Sequence, residues 1–302
     1  MPAFHSGRNS GARDGSAALC DNSHVSRRQY SAHDIAGILE ACINRAFAVA
    51  ACLAPVALAG CIVIGDSSVP IGTVAAAAPR PSAERILVIV LPGFGSDAAD
   101  LEDRGIARAI QESWPEADVL LTSATFAYYR DGKLVPRLRD EIVQPSLRQG
   151  YQRIWLTGAS LGGMGTLLYE REFPGELEGI ALFAPFLGDR KLLDEIRAAG
   201  GPRKWDPGPL PVEMNADNYQ RQVWKMVKGW ADRPELARRV WLACGTGDHL
   251  IDDARLLAPE VPEDHYLELP GGHTWKLWVR AARELFSRIR RESAKRGSVA
   301  GS

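Results

Sequence analysis

The chain has 302 residues, with 36 Lys plus Arg against 37 Asp plus Glu, a formal net charge of −1 and 46% apolar residues. A near-neutral balance with no basic cluster excludes the strong field that nucleic acid binding needs, and no acidic block marks an interaction tail. The 8 Trp, 7 Tyr and 8 Phe supply enough core-forming surface to exclude disorder of the whole chain.

In chain order, residues 1–45 are polar, contain Ser and Gly, and show no helical or strand periodicity. Ala46 to Ile64 carry no charge and follow Arg45. An apolar run with a basic residue before it and small residues at its end has the organisation of a secretory signal. Its end, Leu58-Ala59-Gly60-Cys61, resembles the bacterial lipobox, in which cleavage precedes a lipid-modified cysteine. That resemblance implies an export segment over residues 1–60, membrane attachment through a lipidated Cys61, and a place in the bacterial cell envelope. Ile62 in place of Asp after the cysteine implies sorting to the outer membrane, on its periplasmic side. The run also admits two other readings, a buried helix and an uncleaved anchor, the latter weakened by Pro55 and many Ala residues. Residues 61–84, with Gly, Ser, Pro and an Ala run, read as a tether.

Cys20, Cys42, Cys52 and Cys61 all precede this tether or open it, so Cys244 stands alone afterwards and no disulfide framework holds the main domain. From residue 85 to 292 the pattern alternates short apolar runs with longer amphipathic ones, as a parallel sheet covered by helices requires. Strands are predicted over Ile86–Leu91, Val119–Thr122, Arg153–Thr157, Gly179–Phe183, Val240–Cys244 and Tyr266–Leu269. Helices are predicted over Asp97–Glu112, Leu138–Arg148 with a break near Pro145, Leu161–Glu172, Lys191–Ala199, Asp253–Leu257 and Trp275–Arg291. Residues 200–235 interrupt the alternation with prolines and with Trp205, Trp224 and Trp230. They read as a small cap insertion, equally consistent with a surface excursion and with a substrate lid. Residues 293–302 read as a flexible tail.

The chemistry gathers at predicted strand ends. Gly158-Ala159-Ser160-Leu161-Gly162 lies between a strand and a helix, the context in which G-x-S-x-G makes a nucleophile elbow. Gly158 and Gly162 relieve crowding in the sharp turn while the Ser160 hydroxyl projects above the sheet. The Leu161 N–H, at the helix start, is aimed at a developing oxyanion. A serine hydroxyl needs a base, and the base an orienting acid. His273 follows the Tyr266–Leu269 strand in Gly271-Gly272-His273-Thr274-Trp275, and Asp248 follows the Val240–Cys244 strand in Gly245-Thr246-Gly247-Asp248. The order Ser, Asp, His is that of α/β-hydrolases. Asp252 and Asp253 remain alternative acids, His249 and His265 read as surface residues, and Cys244 reads as a small core residue.

Leu91-Pro92-Gly93-Phe94-Gly95 follows the first apolar strand, and its glycines permit close backbone approach. Here the chain resembles the α/β-hydrolase family over residues 85–290, through the serine elbow, this loop and the Gly271–Trp275 segment, which is similar to the histidine segment of carboxylesterases. The family's loop often reads His-Gly-X. Aligning Pro92-Gly93 with that pair implies Phe94 N–H as the second oxyanion donor, with Pro92 departing from the His. The resemblance implies an α/β-hydrolase fold, a mostly parallel central sheet with helices on both faces and a small cap. It also implies a serine hydrolase cleaving a small-molecule or lipid ester through Ser160, His273 and Asp248. A lipase, thioesterase or acyltransferase on the same triad, or a non-catalytic envelope lipoprotein using the scaffold for binding, remain alternatives. No cofactor and no metal are called for, since the histidines lack ligand spacing and no cysteine cluster follows residue 61. Tyr128, Tyr129, Phe186, Trp205, Trp224, Trp230 and Trp275 are candidates for an apolar acyl pocket.

Overall fold

The computed structural model describes residues 63–300, with side chains to residue 295; the expected export segment 1–60 and Cys61 lie outside the described residues. Seven strands form one sheet: β1 (Thr73–Ala76), β2 (Ile86–Leu91), β3 (Ala117–Thr122), β4 (Arg153–Ala159), β5 (Gly179–Phe183), β6 (Val240–Gly245) and β7 (Tyr266–Leu269). Their order is β1-β3-β2-β4-β5-β6-β7, and every pairing is parallel except β1 with β3. The central strands β2, β5 and β6 bury every side chain, which only a sheet covered on both faces allows.

The covering helices are α1 (Ala98–Asp103), α2 (Ile106–Ser113), α3 (Phe126–Arg130), α4 (Leu134–Leu138), α5 (Gln144–Arg148), α6 (Leu161–Glu172), α7 (Arg190–Ala198), α8 (Tyr219–Gly229), α9 (Pro234–Ala237), α10 (Ile251–Leu257) and α11 (Trp275–Ala300). The chain steps from β2 to β3 in one direction, then returns across β2 to β4 and continues the same way to β7. Right-handed crossovers therefore put the β2–β3 helices on one face and the later crossover helices on the other. The long α11 packs on α2, where the Ser113 hydroxyl donates to the Arg283 carbonyl at 2.8 Å, while α6 packs on α8 and α4. This is the mostly parallel, helix-covered α/β architecture that the alternating pattern implies. No helix among the described residues is long and apolar enough to cross a membrane.

Several elements depart from the sequence reading. The single helix expected over Asp97–Glu112 is two, because Gly105 turns the chain at φ 72° between them. The expected break near Pro145 falls one turn earlier: Arg139–Val143 is a π-helical turn, and Pro145 sits in the first turn of α5, where its missing N–H costs nothing. The stretch read as a tether, 61–84, is held to the domain over its described part. Thr73–Ala76 pairs with β3, Ile71 N–H donates to Glu141 at 2.8 Å, and Val63 N–H donates to the Gly95 carbonyl at 3.1 Å. The expected flexible tail over 293–302 continues α11 as far as Ala300.

Candidate active site

The reversal of strand order at β2 and β4 sets the place for a site. The loop after β2 leads one way and the loop after β4 the other, leaving a crevice at the carboxyl ends of these two neighbours. Leu91 at the end of β2 is in register with Gly158 near the end of β4, so Pro92-Gly93 and Ser160 face each other across that crevice. A methyl group on Gly93 would lie 3.9 Å from Ser160 Cβ.

Ser160 adopts φ 54° and ψ −115°, a conformation that L-residues avoid. Its surroundings hold it there: its N–H donates to the Phe183 carbonyl at 3.0 Å, and its carbonyl accepts from Gly163 and Phe186 at 3.0 and 2.9 Å. The elbow closes only with small residues. A Cβ on Gly158 would stand 2.3 Å from the Gly162 carbonyl carbon, and one on Gly162 would stand 2.6 Å from the Leu91 carbonyl oxygen. Leu161 opens α6, so its N–H has no acceptor in the helix and belongs to the electropositive helix end. Phe94 follows Gly93 on the facing loop, its ring edge-on to Phe126 at 5.2 Å.

The loops after β6 and β7 bring Asp248 and His273 together. Gly247 N–H donates to the Gly271 carbonyl at 2.9 Å, and a Cβ on Gly245 would meet that oxygen at 2.3 Å, so the two turns lie backbone on backbone. His273 Nδ1 lies 2.9 Å from both Asp248 oxygens. A carboxylate only accepts, so Nδ1 is the nitrogen that donates to it and Nε2 is turned away from Asp248. Asp248 Oδ1 also accepts the Leu250 N–H at 2.9 Å, and the residue is buried at 3% exposure. Trp278 meets the His273 ring edge-on at 4.7 Å, limiting its rotation. The alternative acids are placed otherwise: Asp253 pairs with Arg197, and Asp252 faces Arg255 at 3.8 Å. No hydrogen bond joins the Ser160 hydroxyl to His273 among the described residues; such contacts are often long until substrate binds.

One histidine differs from the sequence reading. His265 is not a surface residue: it is 3% exposed, stacked on Trp241 at 3.7 Å, and its ring nitrogens meet the Val240 carbonyl at 3.1 Å and Glu292 at 2.9 Å. His249 is exposed, as read, and its ring lies 4.4 Å from that of His273. Asp248, His249 and His273 thus offer three metal-ligand atoms within 4.8 Å of one another, a grouping that chain spacing conceals. Cys244 is a free, buried thiol in β6, and burial pushes its pKa up, as a core residue's would be.

A cavity of about 820 Å³ adjoins the elbow, lined by Leu161 and Met164 of α6, Phe126 and Tyr129 of the β3–β4 connection, Phe186, and Met214 from the cap. Tyr128, Tyr129 and Phe186 are therefore pocket residues. Trp205, Trp224 and Trp230 are not: each is at most 2% exposed, and they anchor the cap from beneath, with Trp224 Nε1 donating to the Leu187 carbonyl at 2.8 Å. Trp275 stands edge-on to Trp278 at 4.9 Å. The cap thereby forms a fixed wall of the cavity, with α8 packed on α6. The signal the sequence did carry for this wall is the apolar spacing of Val223, Trp224 and Val227 on one side of α8.

No family model and no curated protein sequence matches this chain. Among solved structures, it is similar to a ferulic acid esterase, at 14% identity and a TM-score of 0.49 over 74% of this chain and 98% of that one. It is also similar to Est1E from Butyrivibrio proteoclasticus, at 18% identity and a TM-score of 0.48 over 77% and 98%. A third is the S-formylglutathione hydrolase FrmB from Staphylococcus aureus, at 15% identity and a TM-score of 0.47 over 72% and 96%.

Proposed function

We propose that the protein is a serine hydrolase that cleaves a carboxylic ester through an acyl-enzyme. Two observations support this reading: a serine held in a strained conformation at a helix start, and, in the loops after β6 and β7, a histidine whose Nδ1 lies 2.9 Å from both oxygens of a buried carboxylate. Ser160 Oγ attacks the acyl carbonyl while His273 Nε2 takes its proton. Asp248 orients the imidazole and stabilises the imidazolium. The oxyanion is received by the N–H groups of Leu161 and Phe94. His273 then returns the proton to the departing alcohol, and water, deprotonated by the same nitrogen, releases the acid and restores Ser160. The acyl or alcohol group occupies the cavity beside α6, where Phe126, Tyr129, Met164 and Phe186 offer apolar contacts and Arg130, Lys191 and Arg221 offer charged ones.

In this reading the enzyme is held in the bacterial envelope by a lipid on Cys61. A Cys61→Ser chain should accumulate as an unprocessed precursor that incorporates no labelled fatty acid; absence of label from the wild type contradicts the anchoring. The catalytic reading is tested with a panel of p-nitrophenyl esters of increasing chain length. Wild-type protein should release p-nitrophenol with a burst of one equivalent per chain when deacylation is slow, and Ser160→Ala should show neither burst nor turnover. A folded wild type inert towards the whole panel contradicts it and favours a binding scaffold.

A further inference from the structure

We infer that the face carrying the cavity mouth is the face turned to the membrane, and that the ester substrate is drawn from a lipid bilayer. This rests on the hydrolase reading above. The uncharged run Ala46–Ile64 ends where the described chain begins. Whether that run is cut before Cys61 and lipidated or kept as an anchor, the attachment reaches the domain at Val63, and Val63 forms an antiparallel bridge with Gly95 of the loop facing Ser160. The described chain therefore begins beside the active-site loop, at Val63, which follows Cys61 and Ile62 in sequence and is bridged to Gly95.

The strap that follows cannot swing this contact away. The Ile64 carbonyl accepts the Ala127 N–H at 2.9 Å, the Ser67 hydroxyl donates to Asp131 at 2.6 Å, and Arg137 donates to the Ser67 carbonyl at 2.6 Å. The apolar surface agrees with the orientation. Among the described residues the exposed large hydrophobics are Ile64, Val69, Phe94 and Val212, at 38%, 50%, 37% and 91% exposure. Each stands next to the cavity wall. In the Val63–Gly95 bridge, Ile64 lies opposite Phe94, which touches the lining residue Phe126. The Val69 carbonyl accepts the hydroxyl of the lining residue Tyr128 at 2.8 Å, and Val212 precedes the lining pair Glu213-Met214. Four exposed apolar side chains on segments that adjoin the cavity lining, two of them at the bridge between Val63 and the active-site loop, fit shallow insertion among lipid chains, from which an apolar ester enters without crossing water.

The test uses the full chain reconstituted in phosphatidylcholine and phosphatidylglycerol vesicles, with a long-chain fluorogenic ester in the bilayer and p-nitrophenyl acetate in the water. The variant Ile64→Asp/Val69→Asp/Val212→Asp leaves the catalytic residues in place. It should lower bilayer-ester hydrolysis at least tenfold and leave p-nitrophenyl acetate hydrolysis unchanged. Equal bilayer activity in wild type and variant overturns the inference while leaving the hydrolase reading intact; a wild type inert on both esters removes both. Hydrogen exchange supplies a readout independent of turnover. On vesicles, amides of residues 64–69, 92–96 and 211–214 should gain protection relative to detergent, and residues 262–266 at the opposite sheet edge should not. Protection at the second set, or at neither, overturns the orientation.

Discussion

Asp248→Asn exchanges one oxygen for an NH₂ group. Oδ1 accepts the Leu250 N–H at 2.9 Å, so the amide oxygen stays there, and both positions lie 2.9 Å from His273 Nδ1. The NH₂ offers His273 a donor where it had a second acceptor, which weakens the preference for a proton on Nδ1 and so for an Nε2 able to accept one from Ser160. The charge is lost as well. At the observed 2.9 Å, and with an effective dielectric constant of about 20, a carboxylate stabilises the imidazolium by roughly 6 kcal/mol. A neutral amide dipole recovers part of this, so the barrier should rise by about 4–5 kcal/mol, or between three and four powers of ten in kcat. The assay is steady-state hydrolysis of a soluble p-nitrophenyl ester, with thermal melting to confirm the fold. KM should change little, because Asp248 lies behind the histidine, away from substrate. A folded Asn variant with kcat within tenfold of wild type refutes the role assigned to the carboxylate.

Gly158→Ala would force a Cβ to 2.3 Å from the Gly162 backbone. The expected cost is about 3 kcal/mol or more, lowering Tm by about 6–12 °C in calorimetry; an unchanged Tm contradicts the close packing of the elbow. His265→Ala should cost about 2–4 kcal/mol in denaturant melts by unstacking Trp241 and removing the ring's contacts to Glu292 and the Val240 carbonyl, with kcat unchanged. A loss of kcat beyond twofold would give His265 a role the structure does not. Burial opposes ionisation of Glu176, but Arg139, the Tyr169 hydroxyl and Gln144 overcome it and hold the carboxyl below its ordinary 4.5. A depressed folded value stabilises the fold in full above the unfolded value and loses that contribution as pH falls through the folded one. The stability gap between wild type and Glu176→Gln should therefore be flat from about pH 7 to 5 and shrink in more acid solution; a gap that widens there contradicts the assignment.

The parts of the fold written in local chemistry were legible. Gly179–Phe183 and Leu161–Glu172 have the predicted bounds because a short all-apolar run and a glycine-rich turn into a helix each allow few other structures. Asp248 and His273, read from their places after two strands, do meet, and the glycines before them form the contact between their loops, while Ser160 sits at the sharp strand-to-helix turn that its glycines implied. What escaped depends on distant partners. Thr73–Ala76 is a four-residue edge strand of small residues, and only its pairing with β3 distinguishes it from a tether. His265 follows two acidic residues and reads as exposed; Trp241 and Glu292, remote in sequence, bury it. The cap tryptophans had the composition of a pocket lining, yet they are buried, and the indole N–H groups of Trp205 and Trp224 donate to Glu195 and to the Leu187 carbonyl, each at 2.8 Å.

The most direct test of the account is independent of any guess at substrate. The full chain in detergent is treated with a fluorophosphonate and the adduct located by mass spectrometry, with Ser160→Ala and His273→Ala alongside. The account predicts one adduct, on Ser160, absent from the first variant and strongly slowed in the second, since an unassisted serine hydroxyl reacts poorly. Folded wild-type protein that stays unlabelled, or that is labelled equally fast without His273, contradicts it.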